Sequence, residues 1–225
     1  MARLESNFTN MLLVLTGISL FAAITLASVY TATKEPIEAS KTAGQQRAVH
    51  EVLPPYERLS EPEPVEVKGV GTLELYKAYD RDDHFVGAAV KSFSKNGFNG
   101  EIKIIVGFDE KGNIINYSVL EQKETPGLGT KMVDWFKPVV QTKKSLVERI
   151  TGYEVAAGER KSSVLGKNPA TDPLTVSQDG GDTDAITAAT ISSRAFLEAV
   201  RNAYAVYKNN PDAVSGATSA SGSEN

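Results

Sequence analysis

Two ten-residue stretches share one frame. DAITAATISS runs from Asp184 to Ser193 and DAVSGATSAS from Asp212 to Ser221, and both read Asp-Ala-x-(Thr/Ser)-(Ala/Gly)-Ala-Thr-x-x-Ser. A carboxylate, hydroxyls and small residues at this spacing are the makings of a phosphate seat. In the first copy Thr190 stands where a helical pattern begins. Helix N-termini offer unpaired N–H groups and the positive end of the dipole, and so hold phosphate well. Ala188 and Ala189 would let a bulky phosphorylated group approach the backbone, and Ser192 and Ser193 add hydroxyls in the first turn. The same residues also make an ordinary cap, with Thr187 or Thr190 as N-cap and small neighbours for packing. On spacing alone the cap is the simpler account, because a threonine hydroxyl is a weak nucleophile without an activating base, and no histidine is near it in the sequence. A further stretch, KETPGLGTK from Lys123 to Lys131, places Pro126 and two glycines directly after a strand pattern. Such a loop lets backbone come close to a flat ligand, and it is also the composition of a plain turn.

The elements that must position these residues are legible. TLELYKAYD, HFVGAAVKSF, EIKIIVGFD and NIINYSVLEQ are rich in β-branched and aromatic residues and predict strands, the last two joined by the turn Asp109 to Asn113 as an antiparallel hairpin. GTKMVDWFKPVV and KKSLVERI predict short helices, and TGYEVAAGE a strand. ISSRAFLEAVRNAYAVYKN is the clearest helix: Phe196, Val200, Ala203, Tyr204 and Tyr207 recur at three- and four-residue steps and form an apolar face. Strands followed by helices predict an α+β domain with an antiparallel sheet and flanking helices, spanning 70–208.

Ahead of it, MLLVLTGISLFAAITLASVY carries no charge. About 20 residues at about 1.5 Å each cover a bilayer core. The run is longer than a usual signal-peptide core and is apolar on every face, so it predicts a transmembrane helix over 11–31 after a stub at 1–10. Lys34, Lys41 and Arg47 beyond the span leave the charge rule without a clear vote. The short stub argues for a single pass in the cytoplasmic membrane with the main domain on the extracytoplasmic side. Residues 32–69 predict a helical stalk starting near Pro36, followed by a proline- and glutamate-rich extended linker. The Gly-, Ser- and Ala-rich tail at 209–225 predicts disorder. The net charge of −4 argues against nucleic acid as a partner. The absence of cysteine removes cysteine-ligated clusters and disulfides. His50 and His84 stand in no ligand spacing, so no metal site is expected.

DAITAATISS resembles the flavinylation motif of the FMN-binding domain family, usually Asp-x-x-(Ser/Thr)-Gly-Ala-Thr-x-(Ser/Thr), with Ala188 where glycine is usual. In that family the threonine is joined to the FMN phosphate by a phosphoester bond. A separate flavin transferase makes it from FAD, so the chain needs no base of its own. The resemblance implies covalent FMN on Thr190, with Asp184 as the leading acid and Thr187, Ala188, Ala189, Ser192 and Ser193 around the attachment. The run from Gly97 to Met132, ending in ETPGLGTKM, is similar to the family's strand–turn–strand and following loop. By that likeness Glu124, Thr125, Gly127, Leu128 and Gly129 line the isoalloxazine, and Trp135 either stacks nearby or belongs to the core.

The order of anchor, stalk, strand pair, loop, threonine motif and terminal helix resembles the flavin-bearing subunits of Rnf-type membrane ion-translocating ferredoxin:NAD oxidoreductases. Those of sodium-translocating NADH:quinone reductases are the near alternative, and the compact length favours the first. This implies an electron relay that is not a complete catalyst alone, with other membrane subunits of the same redox complex and a flavin transferase as partners. A membrane-anchored binding module without redox work needs only the anchor, stalk and domain. A freestanding flavin reductase is disfavoured by the lack of a nucleotide-binding glycine fingerprint. The second copy keeps Ser-Gly-Ala-Thr intact at Thr218, yet polar, glycine-rich sequence follows it, so Thr190 is the expected working site.

Overall fold

A computed structural model describes residues 7–138 and 162–210. KKSLVERI, TGYEVAAGE and nearly all of the tail, with its second threonine motif, lie outside the described residues. The chain divides into two compact units, Met1–Gln46 and Arg47–Asn225.

The first unit is one helical stretch. Helix α1 runs without interruption over Phe8–Val52, and Pro36 sits inside it rather than at the start of a separate stalk helix. Large apolar side chains from Phe8 to Tyr30 point outward all round and are exposed. The hydroxyls of Thr25, Ser28, Thr31 and Thr33 each donate to the carbonyl four residues back, at 2.8–2.9 Å. In hydrocarbon a polar group must be satisfied within its own segment, and these are. Among the described residues this is the one helix long and apolar enough to cross a membrane.

The second unit is an α+β domain, as its sequence pattern predicts. Six strands form one antiparallel sheet: β1 (Arg58–Leu59), β2 (Glu63–Val67), β3 (Gly71–Tyr79), β4 (Phe85–Gly97), β5 (Gly100–Asp109) and β6 (Ile114–Glu121). The order is β1-β3-β4-β5-β6, and β2 also pairs with β3. In the central strands Ala88, Ala89 and Val90, and Ile104, Ile105 and Val106, are fully buried in succession. Consecutive burial means that both sheet faces are covered. Helix α3 (Thr190–Lys208) covers one face, with Phe196, Val200, Ala203 and Tyr207 buried against Ala88, Val90, Ile104, Val106 and Phe108. Residues Ala48, Val49, Val52 and Leu53 cover the other face, against Tyr76, Ala78, Ala89 and Ile105. That approach is close: a Cβ on Gly107 would lie 1.9 Å from the Val52 carbonyl oxygen.

The proline-rich stretch differs from its sequence reading as a linker. It is extended, but β1 and β2 within it pair with β3, Val65 opposite Leu73 and Leu59 opposite Ala78. Pro64 fits because β2 lies at the side of the sheet, where a missing N–H is tolerated. The turn from Asp109 to Asn113 is as expected. The Asp109 carboxylate accepts from the backbone N–H of Lys111 and Asn113 at 2.9 and 2.8 Å. The described part of GTKMVDWFKPVV, up to residue 138, contains a 3-10 turn, Gly129–Lys131, and a single α-turn, α2 (Met132–Trp135).

Candidate functional site

The threonine motif and the PGLG loop lie some distance apart in the sequence, at 184–193 and 126–129, and meet at one cavity. Thr190 is the first residue of α3, and its N-cap, Ala189, is backbone only: no side chain caps this helix. The simple-cap reading of Thr187 and Thr190 therefore does not describe the structure. Order comes instead from the turn before it. Ala189 N–H donates to the Ile186 carbonyl at 2.9 Å. Ser193 closes the loop from inside, its Oγ accepting from Ile186 N–H at 2.9 Å and donating to the Ala189 carbonyl at 3.0 Å. Between them Ala188 has φ +61, a left-handed conformation that favours glycine. The glycine of the family motif thus has a conformational reason, and alanine fills the position here under strain.

A bidentate pair steadies the same helix end, Arg194 to Asp179 at 2.7 Å for each contact. Hydrogen bonding to that guanidinium draws the Asp179 carboxyl below its usual value. Asp182, held 2.8 Å from Lys167, is lowered for the same reason.

The opposing wall is the loop after β6. Leu128 N–H donates to the Thr125 carbonyl at 3.1 Å and Gly127 N–H to Thr130 Oγ1 at 3.0 Å, while Gly127 turns at φ +76. Glu124 is buried, 4% exposed. Its Oε2 accepts from Ser192 Oγ in a short contact, and its Oε1 accepts from Asn99 N–H at 3.1 Å. Gly129 is why the two walls can meet. A Cβ there would lie 2.6 Å from Ser192 Oγ and 2.7 Å from Glu124 Cβ.

Between the walls lies a cavity of about 350 Å³, within the usual range for small-molecule sites. Of the residues singled out from sequence, Glu124, Thr125, Leu128, Gly129, Ala188, Ala189, Thr190 and Ser192 line it. Gly127, Asp184, Thr187 and Ser193 do not. Gly127 and Thr187 are exposed on turns, and Ser193 is spent on the loop. Asp184 lends its carbonyl to the indole N–H of Trp135 at 2.9 Å, so the tryptophan braces the motif loop and packs against the core. Phe98 and Ile191 also line the cavity and were missed. Phe98, 63% exposed, sits in the β4–β5 turn, where an aromatic residue signals no period and so no site. His50 and His84 take no part: His50 meets the Tyr56 hydroxyl at 2.6 Å, and His84 lies 3.5 Å from Asp80 on an exposed turn.

What the cavity could hold follows from its lining. An uncapped helix start with a threonine hydroxyl at its first position suits a phosphoryl group. Leu128, Ile191 and Phe98 offer apolar surface to a flat ring, and Glu124 and Thr125 the polar edge.

Comparison with known proteins agrees with this chemistry. Residues 97–205 match the model of the FMN-binding domain family. The chain is 29% identical to the G subunit of the ion-translocating oxidoreductase complex of Shewanella baltica, over 86% of this chain and 87% of that one. It is 29% identical to the equivalent protein of Yersinia pestis over 83% and 85%. It is 34% identical to that of Vibrio parahaemolyticus over 59% and 56%.

Proposed function

From the match of residues 97–205 to the FMN-binding domain model we propose that the chain is a member of that family and the flavin-carrying electron-transfer subunit of a membrane ion-translocating oxidoreductase, bearing FMN on Thr190. The observation that carries the reading is the meeting of the uncapped Thr190 helix start with the Glu124–Gly129 loop around one cavity. The relatives in Shewanella and Yersinia, G subunits of an ion-translocating oxidoreductase complex, support placement in such a complex, with its other subunits as partners; the ferredoxin:NAD type is our inference from the order of elements along the chain. The apolar stretch of α1 supports a membrane anchor. We infer further that the span passes once and the domain faces the extracytoplasmic side, and that a flavin transferase supplies the modification.

FMN, when bound, supplies one- or two-electron chemistry. The residues do the rest. Thr190 Oγ would provide the ester oxygen and so hold the phosphate at the α3 N-terminus, where the dipole would offset its charge. Ala188 and Ala189 keep that approach open. Leu128 and Ile191 shield a ring from water, and Ser192 and Thr125 present hydroxyls along the wall. The chain has no cysteine to ligate a second redox centre, so electrons would enter and leave through neighbouring subunits.

The test is peptide mass spectrometry on natively produced protein. Trypsin separates the two motifs, leaving Thr190 in the peptide from Asn168 to Arg194 and Thr218 in the peptide after Lys208. The expected result is an FMN adduct on the first. An adduct on Thr218 alone would move the assignment to the second motif. No adduct on either would sink the covalent reading. Thr190→Val is expected to abolish flavin fluorescence in a denaturing gel while the fold survives.

A further inference from the structure

Glu124 is a carboxylate where one is hard to keep. It is 4% exposed, and no lysine, arginine or histidine pairs with it among the described residues. A buried charge without a counter-ion is destabilising unless hydrogen bonds and dipoles compensate it. Here they do: both oxygens only accept, one from Ser192 Oγ and one from Asn99 N–H at 3.1 Å, the bonding pattern of an ionised carboxylate. Ser192 lies in the first turn of α3, so the positive helix end faces the same group. Space has been cleared for it. A Cβ on Gly97 would lie 2.8 Å from Oε1, and one on Gly129 would lie 2.7 Å from Oε2. A scaffold that sets two donors and a helix end around one buried carboxylate, with no cationic partner for it among the described residues, holds that charge in the cavity wall for a reason other than stability.

We propose that Glu124 is the charge that sets the reduction potential of the group in this cavity, holding it low. The proposal rests on the reading that a flavin occupies the cavity. Reduction adds negative charge to the ring. A fixed carboxylate in a wall shielded from water opposes that addition, so the reduced form is a stronger electron donor than it would be beside a neutral wall. Ser192 acts in the opposite sense, because its hydroxyl dipole draws off part of the field of Glu124.

Two isosteric or near-isosteric variants test this in the full chain, purified in detergent with its flavin and titrated potentiometrically. Glu124→Gln is expected to raise the midpoint potential by at least a tenfold change in the oxidised-to-reduced ratio, about 59 mV for a one-electron couple. Ser192→Ala is expected to move it the other way, by less. The urea midpoint of the unmodified Glu124→Gln protein is expected to equal or exceed that of wild type, since a buried charge is removed. A merely structural Glu124 would lower the urea midpoint and leave the potential where it was. A flavin-loaded Glu124→Gln protein with an unmoved or lowered potential overturns the proposal and leaves the flavin assignment standing. Wild-type protein without flavin overturns both. If Glu124→Gln does not fold, Ser192→Ala decides: a potential that rises or stays put in that variant overturns the proposal.

Discussion

At the scale of single residues, Ala188 and Gly129 carry opposite lessons. Ala188 holds φ +61 with a Cβ that the left-handed region disfavours by about 1–2 kcal/mol. Ala188→Gly should therefore stabilise the domain by roughly 0.5–1 kcal/mol, part of the relief being lost to the freer unfolded chain. A higher urea midpoint for the unmodified protein checks it, and an unchanged or lower one would show that the strain is already relieved. Gly129 is the reverse case. Its Cβ would meet Ser192 Oγ at 2.6 Å and Glu124 Cβ at 2.7 Å, so Gly129→Ala should cost about 1–3 kcal/mol and reduce flavin incorporation. Absorbance of the purified protein in the flavin band measures the second effect. Most of the residues lining this cavity were named beforehand through the resemblance to the FMN-binding domain family, since spacing alone pointed only to a helix cap and a plain turn. Glu124's burial was not. Nothing local distinguishes a solvated glutamate from one whose partners, Asn99 and Ser192, are brought to it only by the fold.

At the scale of elements, α3 and the sheet share an aromatic cluster. Phe196 stacks on Phe136 at 4.4 Å between ring centres and meets Tyr117 edge-on at 4.8 Å. Phe196→Ala should cost about 3–5 kcal/mol, read from urea unfolding followed by circular dichroism. Tyr117 gives a pH signature. Its hydroxyl, buried and donating to the Met132 carbonyl at 2.7 Å, is pushed well above the ordinary tyrosine value by desolvation. Below about pH 10 both folded and unfolded states keep the proton, and the stability is intact. Above it the unfolded chain releases the proton while the native state still holds it, so stability falls as pH rises. Tyr207 is raised by burial too and adds to the same slope. Urea midpoints should be level up to about pH 9 and fall beyond pH 10, less steeply in Tyr117→Phe. A slope unchanged by that substitution would count against Tyr117 as a source. The helix was readable from its apolar period and the four long strands from their β-branched and aromatic content. β1 and β2 were not: proline and glutamate are poor strand formers, and only pairing with β3 makes them strands.

At the scale of the whole molecule, the boundary of the folded unit lies at Arg47, well before the first long strand. Ala48, Val49, Val52 and Leu53 pack on one face of the sheet against Tyr76, Ala78, Ala89 and Ile105. A chain beginning at Arg47 should fold cooperatively without detergent, whereas one beginning at Val70 should not. Each buried Val or Leu side chain contributes about 1.5–3 kcal/mol, and a domain has about 5–15 kcal/mol to lose. Solubility and urea unfolding of the two truncated chains check this. A stable, monomeric domain starting at Val70 would show that the second sheet face tolerates water. Composition located the long apolar stretch within α1, but it offered no period by which residues 48–53 could be assigned to a sheet beyond a proline-rich stretch.

Trp135 is the chain's single tryptophan, and its indole N–H is fastened to the carbonyl of Asp184 on the loop that leads to Thr190. All of the protein's ultraviolet-excited indole emission therefore originates from one point at the end of α2, in contact with that loop. If the loop peels away, the indole gains water and its emission shifts to the red. If a yellow chromophore settles beside α3, it absorbs in the range where indole emits and dims the signal. The molecule thus carries an intrinsic optical gauge of its own maturation, readable in real time on unlabelled material.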